Sequence, residues 1–383
     1  MRAFVLTLLL LAPLMVKAQE NWLGAYAEDV KKAAKQQQLP GYAFAYVNVG
    51  KKDQIFQYGK TKKDGHAINP DTLFRLASVS KTFTGVLTAK LAEQGQLNLK
   101  QPLSKLVPGY PFDPKLANSM TLEHILSQSS GYMPNAFDNL IEANYSVDRV
   151  MQQLAGLKPI CSPGQCYTYQ NALFGAVEQG MYSGLKRNYA QLLSEQFLKP
   201  LSIKRINVGR DALIKDNNWA EPHVLIGPKQ WKKVAVSEDY YRFAPAAGVN
   251  ASVRDMTTWL KLLLGQYPHV LSGHSIEQVL QPRTKTRKEL YRRHWRGHLK
   301  DAHYGLGWRI YDFEGERLAY HSGWVKGYRA DIGFAPKYNA GYVFLMNAES
   351  NLMNEISVDF WTRFFEQQRL QAKKNGKKQN TGK

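Results

Sequence analysis

A serine hydroxyl becomes a nucleophile at neutral pH only when a base lies within hydrogen-bond reach. The stretch Leu76-Ala77-Ser78-Val79-Ser80-Lys81-Thr82-Phe83 offers such a pair. Three-residue spacing on a helix sets Lys81 one turn beyond Ser78 on the same face. A helix that starts at the serine also aims free backbone N–H groups at an oxygen anion forming there. The spacing alone is weak, because Ser183-Gly184-Leu185-Lys186 shares it. Ser183 falls before a glycine in a break between helical patterns and reads as an ordinary surface turn, whereas Ser78 opens the strongest helical pattern in the chain.

Two further groups fit the same chemistry. Tyr169-Gln170-Asn171 places a phenol and an amide two residues apart on a loop; a phenol can relay a proton to a leaving group, and an amide can orient a substrate carbonyl. Tyr46-Val47-Asn48 has equal spacing but sits in a strand pattern and is set aside. His321-Ser322-Gly323 ends another strand, where glycine lets a ligand approach the backbone closely.

In this order, Ser-x-x-Lys, Tyr-x-Asn and Lys/His-Thr/Ser-Gly resemble the motif triplet of the serine β-lactamase and penicillin-binding protein superfamily. The tyrosine form is similar to the class C β-lactamase branch with its D,D-peptidase and esterase relatives. Thr121-Leu122-Glu123-His124-Ile125-Leu126-Ser127-Gln128-Ser129-Ser130-Gly131 and Tyr304-Gly305-Leu306-Gly307-Trp308 also resemble segments of that family. The resemblance covers residues 24 to 366. It implies an acyl-enzyme on Ser78, with Lys81 and Tyr169 moving the proton and Asn171 holding the substrate amide. It further implies an oxyanion hole from the backbone N–H groups of Ser78 and Trp324, with His321, Ser322 and Gly323 lining the wall. No metal or cofactor is implied. The departure is His321, since class C enzymes typically carry Lys-Thr-Gly and a histidine is only partly charged near neutrality. That weakens the β-lactamase reading, since the histidine form is more similar to D,D-peptidases, D-aminopeptidases and other hydrolases of the superfamily; the expected substrate class remains D-alanyl peptides or β-lactams. The alternatives are an esterase on the same scaffold or a non-hydrolytic penicillin-binding receptor. Trp324 is bulky beside an oxyanion hole, and either narrows the site or stacks on an apolar substrate.

The elements that position these residues follow from periodicity. Asn21 to Gln38 reads as an amphipathic helix, followed by a hairpin of strands Tyr42 to Val49 and Gln54 to Tyr58. A long helix is expected from Ser78, with Phe83, Val86, Leu87 and Leu91 at helical spacing and Gly95 as its stop. Residues to about 240 read as mostly helical. Strands return at Tyr304 to Tyr311, Arg317 to His321, Tyr328 to Phe334 and Gly341 to Asn347, before a helix Asn354 to Gln368. The expected fold is α+β and β-lactamase/transpeptidase-like, an antiparallel sheet from both chain ends flanked by helices, with a mostly helical insertion. The expected organisation is a signal peptide over residues 1–18, an α/β sheet region over 19–77 and 241–368, a mostly helical region over 78–240, and a basic disordered tail over 369–383.

Arg2, an apolar run from Ala3 to Val16 and the Val16-Lys17-Ala18 sequence have the layout of a secretory leader. No other apolar stretch is long enough to span a membrane, so the mature chain is expected in the periplasm or outside the cell. In such an oxidising setting Cys161 and Cys166, either side of a Pro-Gly turn, are expected to form a disulfide, with two unpaired thiols as the alternative. The net charge of +20 draws the protein to anionic surfaces. The excess concentrates in the tail and in Arg283 to Lys300, where Glu289 is the lone acid. For an exported protein the expected partners are a small-molecule or peptide substrate and an anionic envelope surface, not nucleic acid. Solvated loops account for the same charges equally well.

Overall fold

A computed structural model describes residues 11–380 of the chain. The first ten residues of the expected leader lie outside the described residues, and the helix α1, Leu11–Gln36, begins within the rest of it. The chain divides into two compact units, Met1–Leu39 with Ser350–Lys383, and Pro40–Glu349.

In the first unit α1 packs against the last helix, Leu352–Asn380. Trp22 and Tyr26 meet Phe360 at ring-centroid distances of 5.6 and 5.4 Å, and Tyr26 donates to the Ile356 carbonyl. The last helix runs on to Asn380, into the stretch expected as a basic tail over 369–383. Gln, Arg, Ala and Lys are good helix formers, and no proline interrupts them.

The second unit holds the strands β1 (Gly41–Asn48), β2 (Gln54–Gly59), β3 (Leu73–Arg75), β4 (Asn207–Val208), β5 (His223–Gly227) and β6 (Gln230–Lys233). It continues with β7 (Val249–Ser252), β8 (Thr284–Lys285), β9 (Leu299–Tyr304), β10 (Arg309–Phe313), β11 (Glu316–Val325), β12 (Tyr328–Ala335) and β13 (Ala340–Met346). Eight form one sheet in the order β2-β1-β13-β12-β11-β10-β9-β8, all neighbours antiparallel. Strands from early and late sequence therefore share one sheet, as an α+β fold requires. The expected single strand Tyr304 to Tyr311 is instead two strands, because Gly305-Leu306-Gly307 turns the chain, with Gly307 at φ +73°.

The contacts do not separate the sheet from the helical stretch at 78 and 240. One apolar cluster joins Ala45, Val343 and Leu345 of the sheet to Phe83 and Val86 of α2 (Ser80–Glu93), Phe174 and Trp259. Phe83 stacks on Trp259 at 4.1 Å between centroids. Trp259 belongs to the helix Val253–Leu263, inside the expected α/β region over 241–368. Side chains this deeply interdigitated cost several kcal/mol to separate, about 1.5–3 kcal/mol for each large apolar residue, so sheet and helices form one body.

Candidate active site

Ser78 sits in a 3₁₀ turn, Ala77–Val79, immediately before α2. The turn is held between strands: β3 pairs with β7, Leu76 N–H donates to the Val249 carbonyl at 3.0 Å, and Val249 N–H donates to Ser80 Oγ at 2.9 Å. Ala77 has φ +50°, a left-handed conformation that a residue with a Cβ adopts at a cost of about 1–3 kcal/mol. Nothing in the sequence marks that strain. Gly323 on β11 lies against the same turn, since a Cβ there would fall 2.3 Å from the Leu76 carbonyl oxygen and 3.0 Å from Ser78 N. Only glycine lets the strand pass this close.

Lys81, one turn into α2, is fully buried. Its Nζ lies 2.7 Å from Asn171 Oδ1, 3.1 Å from the Ala246 carbonyl oxygen and 3.4 Å from Ser78 Oγ. Close backbone packing seats it: a Cβ on Gly307 would fall 2.1 Å from the Lys81 carbonyl oxygen, and one on Gly85 would fall 1.9 Å from that of Leu306. Burial lowers the Lys81 pKa, while Tyr169 and Asp138 pull it the other way. A neutral amine has two N–H bonds and one lone pair. Asn171 Oδ1 and the Ala246 carbonyl can only accept, so they take both N–H bonds and leave the lone pair for the Ser78 hydroxyl.

Tyr169 and Asn171 arrive on the segment after the cysteine turn, at the start of the helix Asn171–Leu185. Cys161 and Cys166 are disulfide-bonded with Cα atoms 6.3 Å apart, as expected. The Ser127-to-Gly131 turn clamps this segment: Thr168 N–H donates to the Gln128 carbonyl at 2.7 Å, and Gly131 N–H donates to Thr168 Oγ1 at 2.9 Å. The Tyr169 ring centre is 4.8 Å from Lys81 Nζ. Asn171 donates from Nδ2 to Asp138 Oδ2 at 2.8 Å, so the carboxylate and the lysine together fix which way its amide faces. Burial pushes the Asp138 carboxyl up to about 6, with the Asn171 hydrogen bond and Lys81 holding it from going higher.

His321 differs from its expected place on the wall. Its side chain is fully buried, with Nε2 2.8 Å from Tyr304 Oη and Nδ1 2.9 Å from the Ser322 carbonyl oxygen. A carbonyl only accepts, so Nδ1 carries the proton and Nε2 accepts from the tyrosine. Burial, Arg309 and Lys81 drive its pKa well below the ordinary histidine value, and the ring is neutral.

The cationic group beside Tyr169 is Arg309 on β10, which the motifs did not name. Its guanidinium lies 5.8 Å from the ring centres of both Tyr169 and Tyr304. Nε donates to Glu289 Oε1 at 3.1 Å, and Nη1 is buried without a hydrogen-bond partner. Burial would raise the Glu289 carboxyl, yet Arg309, Arg292 and the Tyr311 hydroxyl outweigh it and hold the group at about 2. The lone acid in a basic run was the available signal.

A cavity of about 940 Å³ brings these groups together, lined by Ser78, Tyr169, Asn171, Arg309, Ser322 and Gly323, with Asp138 and Trp324 also on its wall. Trp324 is 60% exposed, under the Arg329 guanidinium at 4.5 Å. Ser183, set aside above, bonds only within its own helix, to the Gly180 carbonyl.

Residues 26–360 match the family model described as Beta-lactamase. Protein flp of Staphylococcus aureus strain MW2 is 26% identical over 325 residues, 83% of this chain and 61% of that protein, so the chain spans about three fifths of that relative's length. A beta-lactamase of Escherichia coli strain K12 is 30% identical over 286 residues, 73% of this chain and 68% of that one. The solved structure of the octameric penicillin-binding protein homologue from Pyrococcus abyssi superposes with a TM-score of 0.75 at 21% identity, covering 86% of this chain and 74% of that one.

Proposed function

The chain belongs to the beta-lactamase family, a membership that supports serine-hydrolase-like function, and on that premise we propose an exported enzyme that acylates itself on Ser78 with D-alanyl peptides or β-lactams. The observation that carries this reading is the buried Lys81 amine, whose Nζ lies within hydrogen-bond reach of Asn171 Oδ1, the Ala246 carbonyl and Ser78 Oγ; in its neutral form, with the two carbonyl oxygens taking its N–H bonds, the lone pair is left for Ser78. Ser78 Oγ bonds to the substrate carbonyl carbon while its proton passes to Lys81 Nζ. The backbone N–H groups of Ser78 and Trp324 stabilise the oxyanion. As the tetrahedral species collapses, the C–N bond breaks and the leaving nitrogen takes a proton through Tyr169. Water then adds to the acyl-enzyme, returning the acid and Ser78. Arg309 supplies the fixed positive charge that neutral His321 does not, and favours substrates bearing a carboxylate.

Intact-mass measurement after incubation with a panel of β-lactams, D-Ala-D-Ala peptides and short esters tests the reading. A β-lactam or peptide adduct that disappears in Ser78→Ala is the expected result. Rapid ester turnover with no adduct from either other class would make the protein an esterase. An adduct that never clears would make it a non-hydrolytic receptor.

A further inference from the structure

β5 and β6 form a two-stranded sheet of their own, closed by Pro228-Lys229 with Lys229 at φ +59°. An isolated hairpin is marginal in water unless something covers a face. This one carries its apolar side chains where water is: Leu225 is 52% exposed and Ile226 61% exposed. They do not lie on one shared face. Leu225 pairs across the strands with Trp231, while the register shifts between Leu225 and Gly227 and leaves Ile226 as the extra residue of a bulge. Pro228 and Lys229 at the tip are exposed, as are Lys232 and Lys233 on the return strand. Lys233 is held by Glu221 at 2.8 Å.

We propose that this hairpin docks in the headgroup interface of an anionic lipid bilayer, with Leu225 and Ile226 inserted and Lys229 and Lys232 on the lipid phosphates. Apolar residues on both sides of a narrow tip suit a surrounding medium better than a flat protein face. Lysine stems extend along apolar surface while their ammonium groups stay at the charged layer. Each lysine near an anionic surface strengthens binding about fivefold. The strongly positive chain adds attraction of the same sign.

The hairpin rises beside the mouth of the cavity. His223 N–H donates to the Gly327 carbonyl at 3.3 Å, and a Cβ on Gly327 would fall 2.2 Å from Pro222 Cβ. Gly327 follows Trp324, Val325 and Lys326, all on the cavity wall. Docking would bring that mouth close to substrates near a membrane. The surface chemistry stands independently of any reaction at Ser78.

The test is co-sedimentation of the full chain with large vesicles of phosphatidylcholine alone or mixed with phosphatidylglycerol. Wild-type protein should partition onto the anionic vesicles. Leu225→Asp with Ile226→Asp should weaken partition at least about tenfold, and Lys229→Gln with Lys232→Gln should weaken it on anionic vesicles only. All variants should keep the wild-type melting temperature, which separates lost docking from lost fold. Equal partition of the wild type and the Leu225/Ile226 variant would overturn the proposal and assign the attraction to general basic charge. Absence of wild-type binding to any vesicle would overturn it too.

Discussion

Two cation–carboxylate arrangements meet one cavity, through Arg309 and Asp138 on its wall, and they are wired differently. At Glu289 the carboxylate touches Arg309 and Arg292 directly and is held at about 2. At Asp138 the carboxylate reaches Lys81 only through the Asn171 amide and stays near 6, while burial, opposed by Tyr169 and Asp138, lowers the pKa of the amine. Direct contact locks charge in place, since a guanidinium does not lose its proton in a protein. An interposed amide transmits orientation and only part of the field, so each partner keeps a pKa shifted toward its uncharged form by burial. The Glu289 side holds a charge, and the Asp138 side is the one through which the proposed mechanism moves one.

The largest effect should come from breaking the mobile side. Lys81→Ala removes the proposed acceptor for the Ser78 proton and should lower the acylation rate about 10²–10⁴-fold, read by stopped-flow with a chromogenic β-lactam. A variant within tenfold of wild type would reassign the base.

Breaking the fixed side should cost stability. Glu289→Gln leaves Arg309 buried without the carboxylate it touches and should destabilise by about 3–5 kcal/mol at pH 7. Because the folded Glu289 pKa lies below the ordinary value, its stabilisation is present above that value and disappears as pH falls through about 2. The gap from wild type in urea titrations should therefore narrow on acidification below about pH 4.5. A gap independent of pH would mean that packing, not charge, holds this side.

Arg309→Gln asks what the fixed charge is for. If it receives a substrate carboxylate, KM for carboxylate-bearing β-lactams or peptides should rise about 10–100-fold, while turnover of a neutral ester changes little. Equal losses on both substrates would make Arg309 structural.

The mobile side was largely legible in the sequence because its parts are local. Ser78 and Lys81 share a helix face, and Tyr169 and Asn171 share a turn. Arg309 and Asp138 join them only through tertiary contacts, from β10 and from the short helix Asp138–Glu142, and their types are too common to stand out. His321 was visible as a residue but its burial was not; Tyr304 and the Ser322 carbonyl satisfy both ring nitrogens away from the cavity. The helix Val253–Leu263 carries Met256, Trp259, Leu260 and Leu263 at helical spacing, a pattern that fits the expected α/β region although no bounds for a helix there were expected. In the last helix the lysines were read as charge, when they are also good helix formers.

The finest discrimination between the two sides is Asp138→Asn, which keeps an oxygen acceptor for Asn171 and deletes the charge. A carboxyl whose folded pKa is raised contributes stability below the unfolded value and loses it as pH rises through about 6. The variant should therefore be more stable than wild type at pH 8, with the difference closing below pH 4, opposite in sign to Glu289→Gln. Deleting the anion also makes Lys81 less basic, so the neutral amine persists to lower pH. The acid limb of the acylation-rate profile should shift downward by less than about one pH unit, with the plateau rate nearly kept. An acid limb that stays in place, or moves upward, would show that Asn171 insulates Lys81 from Asp138 and that orientation alone crosses the amide.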